Sequence, residues 1–224
     1  RVVRKVFGSD KYTLEPIEKV MELKSPFIIP VSGESSNKEA NISDEQIKLM
    51  AWVISEGSLE KDGARRLSIY QSKIKNRKKY DEIIELLNNF KFSFTEVDRT
   101  GLGQPVKRIR LNADSSRKVT QWFGSSIKVF PKVLLSLNER QSRLFLDTYL
   151  KGDGFEGCKI TTTDKGILDG LEIVAVNAGY GFTVLNRKPT IGTKEIYVLR
   201  LIKHKETYIK EVKKINYEGV IWCP

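Results

Sequence analysis

Two acids, Glu56 and Asp153, stand in matching surroundings. Asp153 ends the run Leu146-Asp147-Thr148-Tyr149-Leu150-Lys151-Gly152-Asp153-Gly154, and Glu56 ends Leu49-Met50-Ala51-Trp52-Val53-Ile54-Ser55-Glu56-Gly57. Apolar residues at helical spacing (Leu144, Phe145, Tyr149, Leu150) follow Asn138, so a helix runs into the glycines and carries Asp153 to its C-terminal tip. Negative partial charge of the helix dipole collects there, so an acid at that tip calls for a compensating cation, with a divalent metal the natural candidate. Aligned, Leu49 falls on Leu146, Val53 on Leu150 and Gly57 on Gly154, while Ala51 and Ser55 match Thr148 and Gly152. Small residues four apart lie on one helix face, where they let two helices approach closely. Glu56 and Asp153 then meet at the end of that seam, and two carboxylates brought together at neutral pH need metal ions or a shared proton.

The rest of the chain supplies the elements that would hold such a pair. Ser43, with Gln46 three residues on, opens the first helix as a capping box. After Glu56 the sequence predicts a hairpin of strands 58–60 and 66–71 around a Lys61-Asp62-Gly63 turn, then a helix over 76–90. A second hairpin follows, 92–99 and 106–111 around Gly101-Leu102-Gly103, and a short helix over 115–123. After Asp153 the order recurs: a hairpin over 155–163 bent at Glu156-Gly157, a helix over 164–178, strands 181–186 and 196–202 around a loop at 189–192, and a basic helix over 203–214. The expected fold class is α+β, two pseudo-twofold-related α-β-β-α-β-β-α halves spanning 42–137 and 138–214. Residues 1–41 read as a flank of short strands ending in a polar linker, and 215–224 as a C-terminal flank.

Composition bounds the partner. Lys and Arg outnumber Asp and Glu by 39 to 28, a net charge of +11 with a pI near 9.5, which favours a polyanion such as nucleic acid. Two cysteines, Cys158 and Cys223, form no metal-ligand spacing and no disulfide framework, and His204 is the only histidine. That argues against His-based zinc sites and Ser-His or Cys-His catalysis. No apolar run approaches a membrane span and no signal-peptide pattern opens the chain, so a cytoplasmic location is expected.

The two acid-glycine helices, one half-domain apart, resemble the signature helices of LAGLIDADG homing endonucleases, of the single-chain two-motif type found in inteins. The resemblance covers residues 42–202, and the flanks resemble strands of a splicing domain. It implies a monomer that hydrolyses phosphodiesters at a long asymmetric site in double-stranded DNA, each acid serving one strand. Mg²⁺ would be held by Glu56 and Asp153 with the backbone carbonyls of Ser55 and Gly152; Mn²⁺ would substitute, and Ca²⁺ would support binding without cleavage. Lys128 matches the lysine placed near the metals, with its second-half counterpart left among Lys203, Lys210, Lys213 and Lys214. Gln71 matches a residue that orders active-site water, with Thr162 or Thr163 in the equivalent place. The hairpins would form two saddles reading the major groove, through Arg65, Ser68, Tyr70, Arg99, Lys107, Arg108 and Arg110 in the first half. In the second half the readers would be Lys159, Thr161, Arg187, Lys188, Lys194, Tyr197 and Arg200. Two rivals share the fold: a non-cleaving DNA-binding regulator, against which both acids speak, and an RNA-splicing maturase, which the intein-like flanks disfavour.

Overall fold

The computed structural model describes residues 1–33, 35–60, 65–101, 104–124, 126–188, 194–216 and 218. The flank supplies β1 (Val2–Val6), β2 (Thr13–Glu15), α1 (Ile17–Met21) and β3 (Phe27–Pro30). The first half then runs α2 (Asp44–Glu56), β4 (Gly57–Leu59), β5 (Leu67–Gln71), α3 (Arg77–Asn89), β6 (Phe94–Gly101), β7 (Gln104–Leu111) and α4 (Ala113–Gln121), with α5 (Lys132–Leu135) as a connector. The second half runs α6 (Glu139–Asp153), β8 (Gly154–Phe155), β9 (Lys159–Thr162), α7 (Lys165–Asn177), β10 (Gly181–Arg187) and β11 (Ile196–Ile202), before β12 (Glu206–Ile209).

The doubling seen in the sequence is a doubling of topology. One sheet is ordered β4-β5-β7-β6 and the other β8-β9-β11-β10, each antiparallel throughout and each entered from the C-terminus of a signature helix. The paired helices begin alike. Ser43 Oγ accepts from the Gln46 N–H at 3.2 Å, and Asn138 Oδ1 accepts from the Gln141 N–H at 2.9 Å, satisfying donors the first turn leaves open. Both end alike: Gly57 and Gly154 leave the helix in extended conformation and donate back to Val53 O and Leu150 O.

One apolar core joins the halves. Leu49, Met50, Trp52 and Val53 of α2 and Phe145, Leu146 and Tyr149 of α6 are buried together with Ile69, Ile109, Ile160 and Leu199 from the two sheets. Each such fully buried side chain contributes about 1.5–3 kcal/mol of transfer free energy, which sets the signature helices rigidly against both sheets. The alternating strand pattern decides which face meets them.

The chain after β11 departs from expectation. Residues 203–214 form no helix; β12 pairs antiparallel with β3 instead, completing a third sheet ordered β12-β3-β1-β2. Thr207, Tyr208 and Ile209 favour strands, and a ready edge on β3 gives them a ladder, so the neighbouring lysines do not set the local structure. The closing helix of the second half is thus replaced by a strand. The turns foreseen at 61–63 and 102–103, the loop at 189–192, and residue 217 with 219–224 of the tail lie outside the described residues. Among the described residues no helix is long and apolar enough to cross a membrane.

Candidate active site

The seam between α2 and α6 is as close as its small residues allow. A Cβ placed on Gly152 would lie 2.3 Å from Ser55 Oγ and 2.7 Å from Ser55 Cβ, so only glycine fits against Ser55. Ala51 and Thr148 are buried in the same seam. The same Gly152 position is 3.6 Å from Glu56 Cγ, so the last residue of α2 lies against the turn that carries Asp153.

Both acids are half-buried, and both pay electrostatically for it. The Glu56 pKa is pushed up to about 6, first by burial and then by the charge of Asp153, with Lys79 and a hydrogen bond from Gln71 pulling the other way. Asp153 is likewise pushed up to about 6 by burial, opposed by a hydrogen bond from Tyr149. Supporting contacts differ between the halves. Gln71, nearly fully buried at the end of β5, turns its Nε2 toward Glu56 Oε1 at 3.4 Å. Its Oε1 accepts from the Ser72 N–H and from Asn76 Nδ2, both at 2.9 Å, and this fixes which end of the amide faces the acid. On the other side the buried Tyr149 hydroxyl donates to Asp153 Oδ2 at 3.3 Å, and burial raises the phenol pKa.

Ser55 and Gly152 lie in the last helical turns, where carbonyls have no intrahelical partner. The donors available at the seam are therefore two carboxylates and backbone carbonyls, an all-oxygen set that suits a hard cation such as Mg²⁺ or Mn²⁺. Among the described residues no three His, Cys, Asp or Glu side chains gather as metal ligands. A cation here would need solvent or substrate oxygens to complete its shell.

Lys128 is exposed in the turn before α5, and among the charges acting on either acid it does not figure. Lys79, on α3, is the cation acting on Glu56. Lys203, Lys210, Lys213 and Lys214 are exposed and belong to the chain around β12. Thr162 uses its hydroxyl to accept from the Asp164 N–H rather than contacting Asp153, and Thr163 is exposed beside it.

Strand register sorts the expected DNA readers. In the first sheet Ser68 pairs with Arg110, Tyr70 with Arg108, and Gln71 with Lys107. Leu67, Ile69, Ile109 and Leu111 are buried and mark the helix side, so Ser68, Tyr70, Arg99, Arg108 and Arg110 share the open side. Lys107 falls on the helix side and is ion-paired to Asp98 at 2.7 Å. Ser68 is on the open side but has no exposed surface, because its hydroxyl is covered by Glu60. Arg65 is exposed at a turn with φ of 44°. Its neighbour Arg66, not singled out from sequence, continues the alternation of Ser68 and Tyr70.

In the second sheet Lys159, Thr161, Arg187 and Arg200 share the open side, while Tyr197 lies on the helix side with Leu199 and packs against the core. Lys188 and Lys194 are exposed at the ends of β10 and β11. A concavity of about 460 Å³ beside the first sheet, walled by Leu59, Arg65, Ser116 and Arg117, includes neither acid. Each acid stands where its helix passes into the first strand of a sheet, at Gly57 and Gly154.

No family profile matches the chain, and no curated protein matches it by sequence. Solved structures match its fold. The homing endonuclease I-DmoI in complex with DNA and Mn aligns with a TM-score of 0.52 at 14% identity, over 72% of this chain and 90% of that one. I-DmoI in complex with DNA and Ca gives 0.51 at 15% identity, over 72% and 84%. Mesophilic variants of I-DmoI give 0.51 at 15% identity, over 70% and 88%. The arrangement of two signature helices over two four-stranded antiparallel sheets is the fold of LAGLIDADG homing endonucleases.

Proposed function

We propose that the protein is a site-specific double-strand DNA endonuclease that hydrolyses phosphodiesters with divalent metal. The observation that carries the reading is the convergence of Glu56 and Asp153 at the foot of the helix seam, each raised to about 6 by burial. Two half-buried acids brought together gain from a bound cation, which removes their repulsion. Glu56 and Asp153, with carbonyls of Ser55 and Gly152, would hold Mg²⁺, with Mn²⁺ substituting and Ca²⁺ supporting binding alone. When bound, the cation supplies Lewis acidity toward a phosphoryl oxygen and toward water.

The chain's own residues have separate tasks. Gln71 presents an amide N–H₂ beside Glu56, where it orients an oxygen near that carboxylate. Tyr149 fixes the rotamer of Asp153 by donating to Oδ2. Lys79 opposes the rise that burial imposes on the Glu56 pKa and would add positive charge toward the phosphate. The open sheet faces lie over the duplex, with Tyr70, Arg99, Arg108, Lys159, Thr161, Arg187 and Arg200 as contacts to bases and phosphates. I-DmoI, which shares the fold, has been solved in complex with DNA and with Ca or Mn.

Two halves of like sheet order in one chain make a monomer on an asymmetric site the expected state. The test is incubation with a plasmid library of randomised duplex sites. A few sequences linearised only with Mg²⁺ or Mn²⁺ support the reading. DNA bound but never cut leaves a non-cleaving regulator, and RNA bound in preference to duplex DNA leaves a maturase.

A further inference from the structure

Glu60 is an acid on the face that would meet a polyanion, and its surroundings give it a task there. It follows β4, its N–H donates to Arg66 O at 2.9 Å, and its side chain is only 15% exposed. Oε1 accepts from Ser68 Oγ at 2.8 Å and is ion-paired with Arg108 Nη1 at 3.4 Å; Oε2 is ion-paired with Arg110 Nη2 at 2.5 Å. Arg108 is itself only 17% exposed, and its buried Nε has no hydrogen-bond partner. A guanidinium has five N–H donors in a planar fork, so the ion pair through Nη1 restrains the Arg108 side chain without using up the fork.

An isolated carboxylate on this face would repel phosphates. Seated between Arg108 and Arg110 it is neutralised, and the two long side chains lose their rotational freedom before DNA arrives. Arg108 also stands directly across from Tyr70 in the ladder, a neighbour on the same face of the sheet. An arginine held in one plane on a major-groove sheet face matches the O6 and N7 acceptors of guanine.

We propose that Glu60 is a specificity-determining positioning residue, which holds Arg108 in the plane that reads one guanine in the first half-site. This rests on the DNA-reading function given above. Glu60 itself touches no base in this account; it acts through Arg108, with the Ser68 hydroxyl holding Glu60 in turn.

The test is a base-preference profile, taken by selecting Ca²⁺-supported complexes from a randomised duplex library with the parent protein, Glu60→Gln and Ser68→Ala. The parent should show a guanine preference that Arg108→Lys removes. At that same base pair discrimination should fall about 10- to 100-fold in Glu60→Gln and by less in Ser68→Ala, with other positions unmoved. Ser68→Ala leaves the ion pairs in place, so it reports even if Glu60→Gln melts below the assay temperature. Unchanged guanine preference in both variants, beside a parent that selects a site, overturns this proposal alone. A parent that selects no site overturns the DNA-reading function and this proposal together. A uniform loss of affinity at every position makes Glu60 a prop for the hairpin and also overturns it.

Discussion

Gly152 sits so close to Ser55 that a single methyl group added to it would fall 2.3 Å from the serine oxygen. Ser55 is held there by donating to Ala51 O at 3.0 Å, so it cannot swing away without losing that bond. The contact brings two helix C-termini, and hence two acids, to one place. Gly152→Ala should therefore destabilise the protein by about 1–3 kcal/mol, as overpacking does. The double variant Gly152→Ala with Ser55→Gly should recover part of the loss. Melting temperatures of the four proteins check this, and a fully additive cycle would mean that the two residues do not meet.

Cleavage should depend on pH through the paired acids. Both are raised to about 6 from ordinary values near 4, so activity should fall as pH drops through about 6. Stability without metal should move oppositely. Between the unfolded values and about 6 the folded state binds more protons than the unfolded state, so stability declines as pH rises through that window and stays lower above it. Added Mg²⁺ should flatten the decline by binding the ionised pair. Thermal melts from pH 4 to 8, with and without Mg²⁺, read both trends.

Lys79, rather than Lys128, should matter to the chemistry. Lys79→Met removes the cation acting on Glu56 and should shift the acidic limb of the rate profile upward while lowering the rate. Lys128→Met alters an exposed turn and should change the rate less than ~3-fold. Equal effects of the two substitutions would remove Lys79 from the site.

Affinity for target DNA should fall log-linearly with salt, with a slope of about −0.9 per phosphate neutralised. Arg200→Ala should reduce the slope by roughly one such unit if it contacts a phosphate. Filter binding at several salt concentrations gives the slope. A flat response would remove nucleic acid as the main partner.

What could be read from sequence followed its range. The signature helices were legible because caps, apolar spacing and the acid-glycine ends are local and occur twice. The hairpin strands were legible for the same reason. The strand at 206–209 was not, because its partner β3 lies far back in the chain and nothing near Thr207 announces that edge. Lys79 was hidden among the basic residues that open its helix, where only tertiary packing tells which charge acts on Glu56. Strand parity, by contrast, was present and could have been applied: it separates Lys107 from Arg108, and Arg66 belongs with Ser68 and Tyr70. Tyr149 likewise stands four residues before Asp153, one helical turn away, a spacing that the sequence displays.

The most direct measurement compares the parent protein with Asp153→Asn on a selected target, following Mg²⁺-dependent cleavage and melting temperature together. The substitution keeps size and removes one charge from a like-charged, half-buried pair. Cleavage should fall on the order of 10²-fold or more, because a hard ligand is lost. The melting temperature without metal should hold or rise, and target binding in Ca²⁺ should persist. Glu56→Gln should behave alike, leaving nicked plasmid if each acid serves one strand. If Asp153→Asn cuts as fast as the parent and melts earlier, the acid is a structural helix-end group, and the assignment of this site to metal-dependent DNA cleavage is wrong.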